Sequence, residues 1–461
     1  MKWLFSLFLL NATLFINCLG IEMRWDWQRI NTSKITFPSS FSWGVALCEY
    51  QNSGADRCPN TNWAQWEYSH DSKGNPRIAG DQKSQGACNF YDKWRDDIQL
   101  LKELKVDSLR LSVEWSLIEP QCGAFDEKVI EHYRQICQTL LKEGITPLIT
   151  LHHFTDPLWF THIGAFEVEE NSFYFVRFCK RIFTELADLV PLWVTFNEPG
   201  VYVFQGYLRG VFPPGEVFNI NLAAQVLKNM LKAHVKAYKA LKVLPEGKKV
   251  QIGIVHQLVQ FEPYNEKNPL EKIVSGYMNS FMHQVIFDFL KTGEYRFVKP
   301  FQHYEKIEEA PYCYDFIGLN YYSHMLVTSQ WPEIIKHESG YREGDIPTDM
   351  PYGIYAEGLY RAIKSVSELE VPIYITECGI SDKKDDRREL FLKRYLYALS
   401  CAIEDGYDVR GFYYWSLMDN FEWDMGYDQK FGLYEIDFET QKRTLRNGSR
   451  YYIDVIEKSK E

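Results

Sequence analysis

Leu192-Trp193-Val194-Thr195-Phe196 runs straight into Asn197-Glu198-Pro199, and Ile373-Tyr374-Ile375-Thr376 runs into Glu377-Cys378-Gly379. Each is a short apolar run, rich in β-branched and aromatic residues, that reads as a strand. Each ends in a carboxylate. Working outward, Phe41–Ala46, Ser108–Val113, Ile145–Leu151, Val250–Val255, Phe316–Leu319 and Gly411–Trp415 have the same character, which brings the set to eight. Helical periodicity follows each run, directly or after a loop. Tyr91, Trp94, Ile98, Leu101 and Leu104 recur at steps of three and four, as do Val129, Tyr133, Ile136 and Leu140. Eight strand–helix units with right-handed crossovers close into a barrel. The predicted class is therefore α/β, a single (β/α)8 TIM barrel with long loops at the C-terminal face. A doubly wound open sheet is the rival, but it would advertise a glycine-rich first turn, and no Gly-x-Gly-x-x-Gly or Walker loop occurs.

No low-complexity stretch, linker or charge block divides the 461 residues, and α/β barrels often run this long as one unit. Hydrophobic residues make up 46% and charged residues 25%, as in soluble globular proteins. Lysine and arginine number 51 against 62 acidic residues, a net charge of −11 that argues against nucleic acid or an acidic membrane as partner. No feature commits the chain to an oligomeric state.

The first twenty residues stand apart. Lys2 precedes an apolar stretch, Trp3 to Ile16, and Cys18-Leu19-Gly20 ends it. The stretch is shorter than the roughly 20 residues a bilayer span needs. It reads as a secretory signal peptide over residues 1–20, leaving 21–461 as a secreted or exported catalytic domain with no membrane span in the mature chain. An uncleaved membrane anchor and a lipidated Cys18 are the alternatives. Nine cysteines would remain, with no Cys-x-x-Cys among them, so zinc and thioredoxin-like readings fail. Buried free thiols are the simpler reading, with Cys48–Cys58 an open alternative as a bridge.

The two carboxylates carry the chemistry. A Glu at the C-terminal tip of a barrel strand stands over the pocket, and strands four and seven face each other across the barrel. Two such groups suit glycoside cleavage with retention, which wants them about 5–5.5 Å apart. For a lone glutamate, a solvated turn position is the better prior; the pairing lifts these two above it. Pro199 disfavours the α region at Glu198 and helps fix its side chain.

Seven motifs in order resemble glycoside hydrolase family 1, the β-glucosidase/β-galactosidase group, over about Phe41 to Tyr452. They are Phe41-Ser-Trp-Gly-Val-Ala46 with Glu49-Tyr50-Gln51, Arg110-Leu-Ser-Val-Glu-Trp115, Thr150-Leu-His-His153, Thr195-Phe-Asn-Glu-Pro199, Leu319-Asn320-Tyr321-Tyr322, Ile375-Thr-Glu-Cys-Gly379 and Trp415-Ser-Leu-Met-Asp-Asn-Phe-Glu422-Trp423. The resemblance implies a retaining β-glycosidase with Glu198 as acid/base and Glu377 as nucleophile. It implies that Gln51, His153, Asn197 and Glu422 bind hydroxyls of the sugar that is cleaved. Trp415 would floor that subsite, flanked by Trp423 and Phe431, and the Trp415–Ser416 peptide would be cis. Tyr322 and Arg110 would hold the Glu377 carboxylate, with Asn320 supporting the nucleophile.

Alternation along a strand sends His152 and His153 to opposite faces, so only one enters the site; the resemblance selects His153. Neither belongs to a His-Glu-x-x-His pattern, and no metal or cofactor is expected. Three positions depart from the family pattern without removing a catalytic atom. Cys378 follows the nucleophile where Asn is usual, Gln51 continues as Asn-Ser-Gly54, and Phe154 replaces the more frequent Trp. Glu422 points to an unphosphorylated β-glucoside or β-galactoside as the small-molecule substrate. A transglycosidase and a catalytically silent sugar-binding or receptor domain are the competing functions. A thioglucosidase would carry Gln in place of Glu198.

Overall fold

The computed structural model describes residues 22–297, 303–329 and 340–460. The signal-peptide reading of residues 1–20, and its alternatives, lie outside them.

Eight parallel strands form a closed barrel: β1 (Ser42–Leu47), β2 (Ser108–Ser112), β3 (Thr146–His152), β4 (Leu192–Asn197), β5 (Gln251–Gln257), β6 (Phe316–Asn320), β7 (Ile373–Cys378) and β8 (Val409–Trp415). Each pairs with its neighbours in sequence, and β8 closes on β1. All eight expected strands are present, shifted by a residue or two at their ends. Parallel strands covered by helices are buried on both faces, so they read as near-continuous apolar runs.

The helices pack their apolar stripes on the barrel. Asp126 caps Glu127–Lys142 by accepting from the backbone N–H groups of Lys128 and Val129, and the helix buries Ile130, Tyr133, Ile136 and Leu140. Phe90–Glu103 buries Phe90, Trp94, Ile98 and Leu101. Both expected helices are present; at their first turns Phe90 and Ile130 are buried, while Tyr91 and Val129 beside them are half-exposed. Both pairs are adjacent apolar residues, which periodicity alone does not separate.

Three two-stranded pairings outside the barrel were not foreseen: Gln260–Pro263 with His324–Val327, Glu294–Phe297 with His303–Lys306, and Tyr434–Asp437 with Lys442–Leu445. Each strand is only four residues long, too short to show a period. The nine described cysteines are all free, and Cys48 and Cys58 are separately buried rather than bridged. Among the described residues no helix is long and apolar enough to cross a membrane.

Candidate active site

The strand tips converge on one cavity. Gln51, His153, Glu198, Tyr322, Glu377, Trp415, Glu422, Trp423 and Phe431 all line it. Asn197, Arg110 and Asn320 stand one layer behind. All twelve residues singled out in the sequence therefore fall at this site.

Asn197 and Glu198 are consecutive, so simple alternation would send them to opposite faces. Two local features undo this. The β4–β5 register shifts between Val194 and Asn197, and Glu198 takes a left-handed backbone at φ 44°. Pro199, the first residue of a short helix, disfavours the right-handed region at Glu198. A second register shift lies between Ile375 and Glu377 on β7, against β6. Irregularities of this kind commonly re-aim side chains beside active sites.

The two carboxylates have opposite surroundings. Glu377 Oε1 accepts from Arg110 at 2.5 Å, and its Oε2 accepts from the Tyr322 hydroxyl at 2.7 Å. Arg110 is itself buried, and also donates to the Thr376 carbonyl and to Thr150 Oγ1, both at 3.1 Å. A guanidinium and a phenol hydroxyl thus each donate to one oxygen of Glu377 and fix the carboxylate over the cavity. Glu198 accepts one hydrogen bond, from Asn320 Nδ2 at 2.6 Å. Burial, then the charge of Glu377, raise its pKa well above the usual carboxylate value, against the pull of Asn320 and Arg110. With Oε1 occupied as an acceptor, the proton is left for Oε2.

The amide orientations follow from partners that can only donate. Asn197 Oδ1 accepts from Arg110 at 2.6 Å and from Asn320 Nδ2 at 3.2 Å. Its Nδ2 must then face His153 Nε2, at 3.1 Å, which makes Nε2 the acceptor and puts the ring proton on Nδ1. Among the described residues that Nδ1 has no hydrogen-bond partner, nor has Gln51 Oε1, and both are buried. His153 and Gln51 themselves line the cavity. Burial, with the charge of Arg110 behind it, keeps His153 neutral by holding its pKa well below the usual value. His152 turns the other way, bonded to Asp156 at 3.0 Å among aromatic rings, as alternation predicts.

Gln51 is held by Asn420, the Phe421 carbonyl and Glu422 Oε2, at 3.2, 3.0 and 3.4 Å. Glu422 is pushed up to about 8, by burial first and then by Glu377 and Asp424, against hydrogen bonds from Trp415 and Gln51. The Trp415–Ser416 peptide is cis, as the resemblance implies. Trp423 packs between the rings of Trp63, Phe154 and Phe212.

Sequence reading missed several parts of this site. Thr376 and Thr150 orient Asn320 and Arg110. Phe204, Gln205, Arg209, Phe212, Met350, Tyr352 and Asp424 line the cavity. The threonines sit in strands already identified, and an inward hydroxyl beside a catalytic strand tip was a usable signal. Phe204 and Gln205 lie in a π-helical turn that Arg209 ends, Asp424 in a single 3-10 turn, and Phe212, Met350 and Tyr352 in loops, none of which carries a period that marks a site.

Comparison with known proteins agrees with this geometry. The family model described as "Glycosyl hydrolase family 1" matches residues 33–461. Beta-glucosidase A of Thermotoga maritima is 32% identical over 91% of this chain and 97% of its own length. A 6-phospho-beta-galactosidase of Staphylococcus haemolyticus is 31% identical over 91% of this chain and 98% of its own length. Among solved structures, a beta-glycosidase from Pyrococcus horikoshii superposes with a TM-score of 0.81 at 35% identity, covering 92% of this chain and 95% of that one.

Proposed function

This chain belongs to glycosyl hydrolase family 1, and we propose that it is a retaining β-glycosidase acting on unphosphorylated β-glucosides, with β-galactosides second. The observation that carries the reading is the asymmetry of Glu198 and Glu377 within one cavity. A retaining enzyme needs one ionised carboxylate to attack and one protonated carboxylic acid to donate. Arg110 and Tyr322 hold Glu377 in place to attack; burial and the Glu377 charge keep the proton on Glu198.

In the first step Glu377 attacks the anomeric carbon, and the proton on Glu198 passes to the departing glycosidic oxygen. Glycosylation removes the Glu377 charge, one of the two main causes of the raised Glu198 pKa. Glu198, now ionised, takes a proton from water, which attacks the same carbon and frees Glu377. The polar side chains of His153 and Gln51, which line the cavity, are partners for sugar hydroxyls. The indole of Trp415 offers an apolar face to the sugar ring. The presence and orientation of both carboxylates favour an enzyme over a silent sugar-binding domain. Sugar as acceptor in place of water would make the same site a transglycosidase.

The family holds relatives named for phosphorylated and for unphosphorylated substrates, so the site must decide. At a pKa of about 8, Glu422 is largely protonated near neutrality. Simple repulsion of a 6-phosphate is therefore weaker than a bare carboxylate would give. The stronger argument is that, among the described residues, no cation forms a salt bridge with it. The Lys430 ammonium rests over the Phe438 ring, 4.9 Å from its centroid, and Lys430 is not part of the cavity lining. A neutral or ionised Glu422 can still pair with 4- and 6-hydroxyls, equatorial or axial. The test is hydrolysis of nitrophenyl β-glucoside, β-galactoside, β-mannoside, β-fucoside and β-glucoside 6-phosphate. Faster turnover of the phosphorylated compound overturns this reading of Glu422. We place the enzyme outside the cytoplasm on the strength of residues 1–20. N-terminal sequencing of exported protein, expected to begin near residue 21, tests that.

A further inference from the structure

The helix that begins at Pro199 points outward from Glu198 and continues into a π-helical turn, Phe204–Leu208. Val201, Phe204, Gln205 and Arg209 face the cavity along it. Because Glu198 protonates the leaving oxygen, this line of residues bounds the space the leaving group occupies.

That space is mostly apolar. Phe204, Val259, Phe261, Met282, Met325 and Met350 line it. Phe261 and Met282, with Val327, form a cluster separate from the main core, against which Phe204, Val259 and Met325 pack. A second sugar would bring hydroxyls to a wall with few partners for them, at a cost for each one left unpaired. Aryl or alkyl groups suit it, and methionines adapt to irregular shapes.

Arg209 interrupts the apolar lining. The π turn, closed by its N–H donating to the Phe204 carbonyl at 2.9 Å, sets it beside Gln205. One guanidinium nitrogen donates to Gln205 Oε1 at 3.1 Å, a neutral acceptor. Among the described residues Arg209 forms no salt bridge, and a guanidinium has five N–H donors to place. Asp424 is the acidic group whose field reaches it. Burial raises Asp424 to about 6, with Arg209 opposing the rise. Glu422, at the sugar end, answers instead to Glu377 and Asp424. Arg209 is thus a half-buried cation lining the cavity, hydrogen-bonded to one neutral acceptor and with Asp424 within reach of its field, and a guanidinium so placed can donate to an anionic group.

We propose that Arg209 is a specificity-determining residue for the leaving group, and that the preferred substrates are β-glycosides whose aryl or alkyl aglycone carries an anionic group. Arg209 pairs with that group while the Phe204–Met350 wall holds the apolar body. The inference rests on the β-glycosidase reading above.

The test compares 4-carboxyphenyl and 4-(carboxymethyl)phenyl β-glucosides with their neutral carboxamides, in the wild type, Arg209→Gln and Arg209→Lys, with nitrophenyl β-glucoside as reference. The readout is the carboxylate-to-carboxamide ratio of kcat/KM within each protein. This ratio cancels any general effect of the substitution on folding or catalysis, and comparing proteins cancels leaving-group differences. The wild-type ratio for at least one pair should exceed that of Arg209→Gln by about tenfold, the size of one charge-assisted hydrogen bond. Arg209→Lys should fall between, and added salt should shrink the wild-type ratio. Equal ratios in wild type and Arg209→Gln, with both substrates turned over, overturn the inference and leave the β-glycosidase reading standing. Failure to hydrolyse the nitrophenyl and carboxamide glycosides alike overturns both.

Discussion

Glu198 and Glu377 are the same residue type in the same cavity, and only their donors separate them. Replacing Glu377 by Ala removes the attacking group and should abolish turnover of every glycoside. Replacing Glu198 by Ala should chiefly abolish cleavage of substrates with poor leaving groups, because a good one departs without a proton. Azide should then partly restore the second step; normal turnover by Glu377→Ala would sink the assignment. Asn320 makes a finer prediction. Its amide donates to Glu198 Oε1 and so favours the ionised acid/base, pulling the pKa down. In Asn320→Ala that pull is lost, Glu198 stays protonated to higher pH, and the basic limb of kcat/KM against pH should move up. The rate should also fall, since Asn197 loses one of its two orienting donors. A limb that moves to lower pH would show that Asn320 stabilises the acid form instead.

The barrel strands were legible because each is a continuous apolar run, a pattern that parallel, doubly covered strands impose. The motifs placed the site because carboxylates at strand tips have only one face to occupy. Alternation correctly separated His152 from His153, yet it fails one strand later, where a register shift and the left-handed Glu198 bring Asn197 and Glu198 to the same site. Nothing in the letters Phe-Asn-Glu-Pro announces a shift; it arises from pairing with β5. The Arg209 rim was equally hidden, because a π turn reads in sequence like any helix. Glycine marks one element junction with a testable consequence. A Cβ added at Gly379, just beyond β7, would overlap the Trp415 carbonyl oxygen at the end of β8. Gly379→Ala must therefore push β7 and β8 apart beneath the sugar. The expected cost is about 1–3 kcal/mol of stability, as for overpacked cores, with a raised KM for nitrophenyl β-glucoside. An unchanged KM beside a lowered Tm would mean that the strain relaxes away from the Trp415 floor.

Over the whole molecule, two sets of buried groups pull stability in opposite directions with pH. Burial holds His132, His153, His234, His256, His283 and His324 below the usual imidazole value, to about 4 for His132, His234 and His283. In the unfolded chain they take up protons below roughly pH 6.5, which the folded protein refuses. Their contribution is full above that value and is lost as pH falls toward 4. The carboxylates do the reverse. Glu49 is raised to about 7 and Glu422 to about 8, by burial first in each case, and Glu198 is raised well above the usual value. These groups stay protonated in the folded protein while the unfolded chain ionises them near 4.3. Their contribution is full in acid and is lost as pH rises through 7 and 8. Between about pH 5 and 6.5 gains from the histidines offset losses from the carboxylates, and the slope of stability with pH is small. Above 6.5 the unfolded histidines are already neutral and cannot compensate, so only the carboxylate loss remains. Thermal unfolding from pH 4 to 9 should therefore show a plateau in mild acid, a steep fall below about 4.5 and a slower fall between 6.5 and 8.5. Glu422→Gln, which cannot ionise, should flatten the upper arm and leave the lower one in place. A midpoint that climbs steadily from pH 6.5 to 8.5 in the wild type would mean that the cavity carboxylates are ionised in the folded protein. Glu198 would then lack the proton its catalytic role requires.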